Sequence, residues 1–144
     1  MQAVRTDELE LVEGWSETEE GMRVRVAFPC SLETGTKSTA VVYFELEPGR
    51  HLGRHTDSAE EVLYVVAGSG EATVGDERAP LGPGTIAVVP ATVPHGVVNT
   101  GTETLRIVGF FSANTVVSVF DEPMAPMGVR VFTTPMLVEE PAAA

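Results

Sequence analysis

The chain is poor in cysteine and in positive charge, and it has no long apolar run. Cys30 has no second cysteine with which to form an intrachain disulfide, so a reducing cytoplasmic environment is expected. Nine Lys and Arg residues against 21 Asp and Glu residues give a net charge of −12 at pH 7, which disfavours nucleic acid and anionic membrane surfaces as partners. Neither a charged-then-apolar leader nor a run of membrane-spanning length is present in the sequence.

Segments with helical periodicity are also missing, whereas turn-forming residues are plentiful, with 14 Gly and 10 Pro. Short alternating or β-branched segments between these turns predict an all-β sandwich or barrel. A length of 144 residues suits one domain, and we expect an irregular arm at 1–21, a barrel at 22–132 and a loose tail at 133–144. The strands are predicted at 22–28, 39–46, 61–67, 71–74, 85–89, 95–99, 105–111, 116–120 and 129–132.

Three histidines are present, and two of them have the spacing that a metal site inside a barrel would need. His55 and Asp57 share one face of an extended strand, Glu61 leads the next strand, and His95 arrives on another hairpin. Two imidazoles and one or two carboxylates suit Fe(II), Mn(II), Ni(II), Co(II) or Zn(II). The alternative is that His55 and His95 are hydrogen-bonded core residues and that no metal binds.

His51 is a less favoured ligand. His51 and His55 are an even number of residues apart, so on a regular strand they would lie on the same face. Four extended residues span about 13 Å, however, which is too far for two ligands of one ion. Only a bulge or turn at Gly53 would bring His51 to the ion, and otherwise it is an exposed residue at the rim.

The segment Glu60-Glu61-Val62-Leu63-Tyr64-Val65-Val66-Ala67-Gly68-Ser69-Gly70, together with the Pro90, His95 and Asn99 spacing, resembles the cupin family over residues 43–111. This resemblance implies a double-stranded β-helix (jelly-roll) barrel, often dimeric, with a metal held by histidines and a glutamate. By position, His55, Glu61 and His95 correspond to three of the family's four ligands.

Two positions depart from the family pattern. Asp57 stands where the second histidine of a His-x-His pair is expected, and Thr92 stands where a turn glycine is expected. Asp57 is open to three interpretations: a ligand, a carboxylate that acts without touching the ion, or a residue that caps the strand end. As a ligand beside Glu61, it would bring the charge of a divalent centre with neutral imidazoles from about +1 to about zero.

The favoured hypothesis is a small metal-dependent enzyme that acts on a small organic molecule inside the barrel. Glu61 is its candidate catalytic residue, and His55, Asp57, Glu61 and His95 are its candidate metal ligands. A dioxygenase is slightly preferred over an isomerase, cyclase or decarboxylase, because two histidines and one carboxylate leave positions open on iron. The alternatives are a ligand-binding or sensor protein with a structural metal or none, and a dimeric scaffold.

Overall fold

The computed structural model describes residues 1–136 and contains two six-stranded antiparallel sheets that face each other. The first sheet has the order β1-β2-β3-β10-β5-β8, and the second has the order β12-β11-β4-β9-β6-β7. The all-β jelly-roll prediction is confirmed. The strands are β1 Val12–Trp15, β2 Arg23–Cys30, β3 Ala40–Leu46, β4 His51–Asp57, β5 Glu61–Ala67, β6 Gly70–Val74, β7 Glu77–Leu81, β8 Ile86–Val89, β9 His95–Asn99, β10 Leu105–Phe111, β11 Val116–Met124 and β12 Val129–Thr134.

Alternating burial along the strands produces the core between the sheets. Leu105, Ile107, Gly109 and Phe111 of β10 are buried, while the residues between them are half-buried or exposed. This period of two is the geometry of a pleated strand with one face on the core. The strands predicted at 61–67, 95–99 and 105–111 are confirmed with the same bounds.

Two segments differ from the sequence-based expectation. Val12–Trp15, within the expected irregular arm, form β1 and pair with β2. Glu77–Leu81 form β7, although no strand was predicted between residues 74 and 85. β7 is the edge strand of its sheet, where a proline removes no required hydrogen bond. Residues 133 and 134 extend β12, and the rest of the expected tail beyond residue 136 lies outside the described residues.

A β-bulge in β4 decides which of its side chains face the cavity. The pairing of β4 with β9 shifts register between Leu52 and His55. An extra residue changes side-chain parity, so Leu52 and His55 both line the interior while His51 does not. The bulge therefore excludes His51 from the interior instead of bringing it in.

Asn99 and Thr92, two positions of the family motif, shape turns and do not line the cavity. The buried amide of Asn99 donates to the carbonyls of Leu46 and Glu103 at 2.8 Å each, and its oxygen accepts from the N–H of Gly101. Thr92 has a φ of +66°, the left-handed conformation that suits glycine. Its N–H donates to the carbonyl of Asp57 at 2.8 Å, so this turn is tied to the end of β4.

The outer face of β10, β5 and β8 carries exposed apolar side chains: Tyr64, Val66, Ile86, Val88 and Phe110. The homodimer expected from the family resemblance stays a prediction. The helices within residues 1–136 are two short 3₁₀ turns, Thr6–Glu8 and Leu32–Thr34, and no described helix has the length and apolarity to cross a membrane.

Candidate metal centre

His55 and His95 are cross-strand partners, which is why their rings meet. His55 of β4 lies directly opposite His95 of β9, and the ring centroids are 4.2 Å apart. Directly opposed residues of antiparallel strands have closely spaced side chains on one face. On the other side of β4, Phe120 of β11 pairs with His55 and stacks on its ring at 4.5 Å. The ring of His55 therefore has a ring contact from each of the two strands that neighbour β4.

Asp57 and Glu61 approach the histidines from different sheets. Asp57 follows His55 by two residues on β4, so it points to the same side. Glu61 begins β5 in the opposite sheet. All four predicted site residues are buried, with between 4% and 6% of their surface exposed. The structure therefore brings together the four residues that the sequence singled out.

Three of the candidate ligands, His55, Asp57 and His95, have the spacing that one ion requires, whereas Glu61 lies outside this compact cluster. Asp57 Oδ2 lies 3.1 Å from His95 Nε2 and 3.7 Å from His55 Nε2. Glu61 Oε1 lies 3.7 Å from His95 Nε2. Two atoms that each coordinate one ion at about 2.1 Å must lie within about 4.2 Å of each other. The cluster in which all ligand atoms lie within 4.8 Å of one another consists of His55, Asp57 and His95.

Backbone carbonyls hold both imidazoles in the tautomer that a metal needs. The Nδ1–H of His55 donates to the carbonyl of Gly53 at 2.7 Å, and that of His95 donates to the carbonyl of Val93 at 2.9 Å. A carbonyl only accepts, so the proton of each neutral ring is on Nδ1 and the lone pair is on Nε2. The Gly53 carbonyl belongs to the bulge in β4, which gives that bulge a second role in the site.

Asp57 is held in a similar way. The hydroxyl of Ser118 donates to Asp57 Oδ1 at 2.6 Å, which leaves Oδ2 facing the histidines. Asp57 Oδ2 and His95 Nε2 are fully buried, yet neither has a hydrogen-bond partner among the described residues. Orphaned buried polar atoms are costly and rare. A cation between them would satisfy both, so these residues fit a divalent metal ion.

Burial and mutual charge set the pKa values of the site. Burial raises the pKa of Glu61 to about 8, and the charge of Asp57 adds to this rise. Burial also lowers the pKa of His55 to about 4, with His95 adding to the fall. Burial alone would raise the pKa of Asp57, but His95, His55 and Ser118 lower it below its usual value. The pKa of His95 is raised, because Asp57 outweighs the effect of burial.

The four residues line a cavity of about 700 Å³ between the sheets. The cavity is mostly apolar and is also lined by residues of the N-terminal segment and of β11 and β12. The imidazoles of His55 and His95 and the carboxyl groups of Asp57 and Glu61 form a convergent polar group in its wall. A concave apolar cavity with a few convergent polar groups is typical of a small-molecule site.

His51 does not belong to this site. Its Nε2 lies 2.9 Å from Glu19 Oε1, and its side chain does not line the cavity. Arg23, Arg25 and Arg106, which lie on strands, do not line the cavity either. Arg23 instead pairs with Glu13, and Arg25 pairs with Glu45.

Sequence reasoning missed Ser118, Phe120 and Gly109 as residues that position the site. Ser118 had a detectable signal, because it is a polar residue on the inward face of β11 between Val116 and Phe120. Gly109 had no such signal. Its missing side chain matters because the Glu61 carboxyl group and a methyl group of Val42 occupy that space.

The sequence of residues 42–111 matches the family described as "Cupin domain". No curated protein matches the chain at a significant level. Several solved structures share the fold. The polyketide cyclase RemF from Streptomyces resistomycificus is 22% identical, with 77% of this chain and 78% of that chain covered and a TM-score of 0.62.

Two further structures are similar. A predicted oxalate decarboxylase from Thermotoga maritima is 22% identical, with 78% of this chain and 99% of that chain covered and a TM-score of 0.65. A putative sugar phosphate isomerase from Acidithiobacillus ferrooxidans is 23% identical, with coverages of 79% and 75% and a TM-score of 0.60. At these identities the likeness concerns the fold. The family match and the shared fold together identify a small cupin domain, with the match at residues 42–111.

Proposed function

We propose that this protein is a metal-dependent enzyme that acts on a small organic molecule inside the barrel. The observation that carries the proposal is the cluster of His55, Asp57 and His95, whose ligand atoms meet at the polar end of an apolar cavity. Named enzymes among the structures of similar fold, a cyclase, an isomerase and a decarboxylase, support an enzymatic use of this barrel.

The proposed ligands are Nε2 of His55 and His95, Oδ2 of Asp57 and Oε1 of Glu61. Two imidazoles and a carboxylate in one compact cluster favour a non-haem iron oxygenase among the activities considered. A bound divalent ion would polarise a hydroxyl or carbonyl oxygen of the substrate, or would activate dioxygen if it were iron(II).

Glu61 is the proposed catalytic carboxylate, because it borders both the histidines and the cavity. In the metal-free chain its pKa is raised to about 8 by burial, so the carboxyl group can hold or release a proton near neutral pH. This observation favours a second candidate activity, an isomerisation or cyclisation in which His55, Asp57 and His95 hold the ion and an uncoordinated Glu61 moves a proton of the substrate.

Metal loading under anaerobic conditions tests the proposal without a known substrate. We expect close to one Fe(II) per chain. We also expect nitric oxide to bind at an open coordination position of this iron and to give an EPR signal of half-integer spin. A protein that binds no divalent metal would instead be a binding or sensor protein. The same conclusion would follow if the bound metal had no open coordination position.

A substrate screen then separates the two activities. Hydroxylated aromatic compounds and carbonyl compounds are incubated with the iron-loaded protein, with and without dioxygen, and the products are analysed by mass spectrometry. A product that gains two oxygen atoms only in the presence of dioxygen supports the oxygenase. A product of unchanged mass that also forms without dioxygen supports the isomerase or cyclase. Glu61→Gln should severely impair either reaction.

A further inference from the structure

We infer that the substrate is an uncharged, largely apolar molecule that presents a hydroxyl or carbonyl oxygen to the deep end of the cavity, and that small anions are excluded. This inference rests on the proposed function, because that function places the reacting atom beside the histidines. It is carried by the distribution of charge and apolar surface around the cavity.

The cavity walls offer an apolar surface for most of their extent. They are built from aliphatic and aromatic side chains of both sheets: Val24, Phe44, Leu63, Val97, Phe111 and Phe120. All six are buried core residues. A ligand that fills this space must itself be mainly apolar, because polar groups placed against such walls lose their hydration without a partner.

Cationic side chains are missing from the cavity lining throughout residues 1–136. Arg23 is paired with Glu13 at 3.0 Å and stacks over Trp15, and Arg54 faces Asp121 on the outside. Residues 137–144 contain no Lys or Arg in their sequence. In the metal-free chain, a carboxylate or phosphate would therefore enter a low-dielectric cavity without a counter-ion, which is strongly unfavourable.

Acidic side chains mark the opening of the cavity. Glu10 and Glu33 are exposed and also line the cavity, and neither forms an ion pair with a basic residue in the described part of the chain. The whole protein carries a net charge of −12. A cleft lined by one sign of charge lowers the local concentration of ligands of the same sign, so anions are repelled before they enter.

The deep end of the cavity is close to electrically neutral when a metal is bound. Asp57 and Glu61 together carry two negative charges that offset a divalent ion, which leaves about zero net charge with neutral imidazoles. A centre without net charge can still coordinate the lone pair of a neutral oxygen, but it gives an anionic ligand little additional electrostatic attraction. A volume of about 700 Å³ is also in the range of cavities that enclose drug-sized molecules, and it is far larger than a two-carbon anion requires.

Naphthol and naphthoate form a matched pair of probes, since they share one ring system and differ in carrying a hydroxyl or a carboxylate. Naphthol is a phenol and is uncharged at pH 7. Their affinities for the zinc-loaded and the metal-free full chain are measured by isothermal titration calorimetry. We expect naphthol to bind at least about tenfold more tightly than naphthoate in both states, which corresponds to about 1.4 kcal/mol. Equal or tighter binding of naphthoate, or no binding of naphthol at its solubility limit, would overturn the inference.

Charge reversal at the opening supplies a second readout. Glu33→Lys should strengthen naphthoate binding several-fold relative to naphthol binding. Glu77→Lys is the control, because it makes the same change in net charge on exposed β7, away from the cavity. An equal gain of naphthoate binding in both variants would attribute the effect to net charge and would contradict the role of the opening.

The outcomes separate this inference from the proposed function. A chain that binds metal but prefers naphthoate refutes the substrate class alone. A chain that prefers naphthol but binds no metal supports an apolar ligand site and refutes the metal-dependent enzyme.

Discussion

The backbone of Gly109 lies directly against the carboxyl group of Glu61. The two residues belong to the adjacent strands β10 and β5, where Gly109 pairs with Leu63. A Cβ atom at residue 109 would overlap Glu61 Oε2 and would lie 3.0 Å from Glu61 Cδ. Glycine therefore provides the space in which the Glu61 carboxyl group turns toward the histidines.

Gly109→Ala should displace the Glu61 carboxyl group and weaken metal binding by roughly tenfold or more, as is typical when a supporting residue of a metal site is lost. Metal titration monitored by calorimetry measures this effect, and thermal unfolding shows whether the variant is folded. Gly82→Ala is the control, because a Cβ atom there meets nothing within 4 Å. Unchanged metal affinity in a folded Gly109→Ala protein would show that Glu61 is not held by this contact.

Ser118→Ala should also weaken metal binding, again by roughly tenfold, because Asp57 loses the hydroxyl that orients it. The free energy of unfolding should fall by about 1–3 kcal/mol, since Asp57 Oδ1 is left without that partner. Metal titration and chemical denaturation measure the two effects. Ser118→Thr should restore part of the affinity, and Ser112→Ala, at an exposed serine, should have no effect. Equal affinities in all three variants would show that the hydroxyl of Ser118 is not needed to hold Asp57 in place for the metal.

The three histidines should differ in their effect on metal content. His55→Ala and His95→Ala should abolish stoichiometric metal binding, whereas His51→Ala should retain it, because His51 contacts Glu19 and does not line the cavity. Elemental analysis of the purified variants measures this. Full metal content in either of the first two variants would refute the proposed centre.

The stability of the metal-free protein should fall as pH rises from about 6.5 to about 8. Because the folded-state pKa of Glu61 is raised to about 8, its contribution is complete below its unfolded pKa of 4.5 and is lost as pH rises through 8. The raised pKa of His95 acts in the same direction above 6.5. The lowered pKa of His55 acts oppositely, but only between about 4 and 6.5.

Chemical denaturation in the presence of a chelator, repeated across this pH range, measures that slope. Glu61→Gln should make the slope shallower, because the remaining contribution is that of His95. Metal affinity should rise over the same range, since the metal competes with protons for Glu61 and His95. A slope that is identical in the wild-type protein and Glu61→Gln would assign the pH dependence to other groups.

Thr92→Gly should stabilise the protein by roughly 1 kcal/mol. A β-branched residue at a φ of +66° is strained, and glycine adopts this conformation without a steric cost. The gain is reduced by the greater freedom of glycine in the unfolded chain. Thermal and chemical denaturation measure it, with Thr100→Gly as a control that should be destabilising because residue 100 has no positive φ. A loss of stability in Thr92→Gly would mean that the side chain of Thr92 makes a contribution that its backbone conformation does not reveal.

Much of the fold followed from local sequence. Glu61–Ala67, His95–Asn99 and Leu105–Phe111 were predicted with their observed bounds, because alternation and the flanking turn residues act within a few residues. The sequence spacing also selected His55, Asp57, Glu61 and His95, and all four line one cavity in the structure. β7 was missed, since a proline is tolerated there only because that strand lies at an edge.

The sequence by itself selected the candidate metal ligands and predicted most of the strands. The tertiary structure decided that His51 faces away, that Ser118 and two backbone carbonyls orient the candidate ligands, and that Gly109 leaves room for Glu61. The reason is physical. Alternation along one strand is a local property, whereas a bulge, a register and a cross-strand partner depend on a second strand that is distant in the sequence.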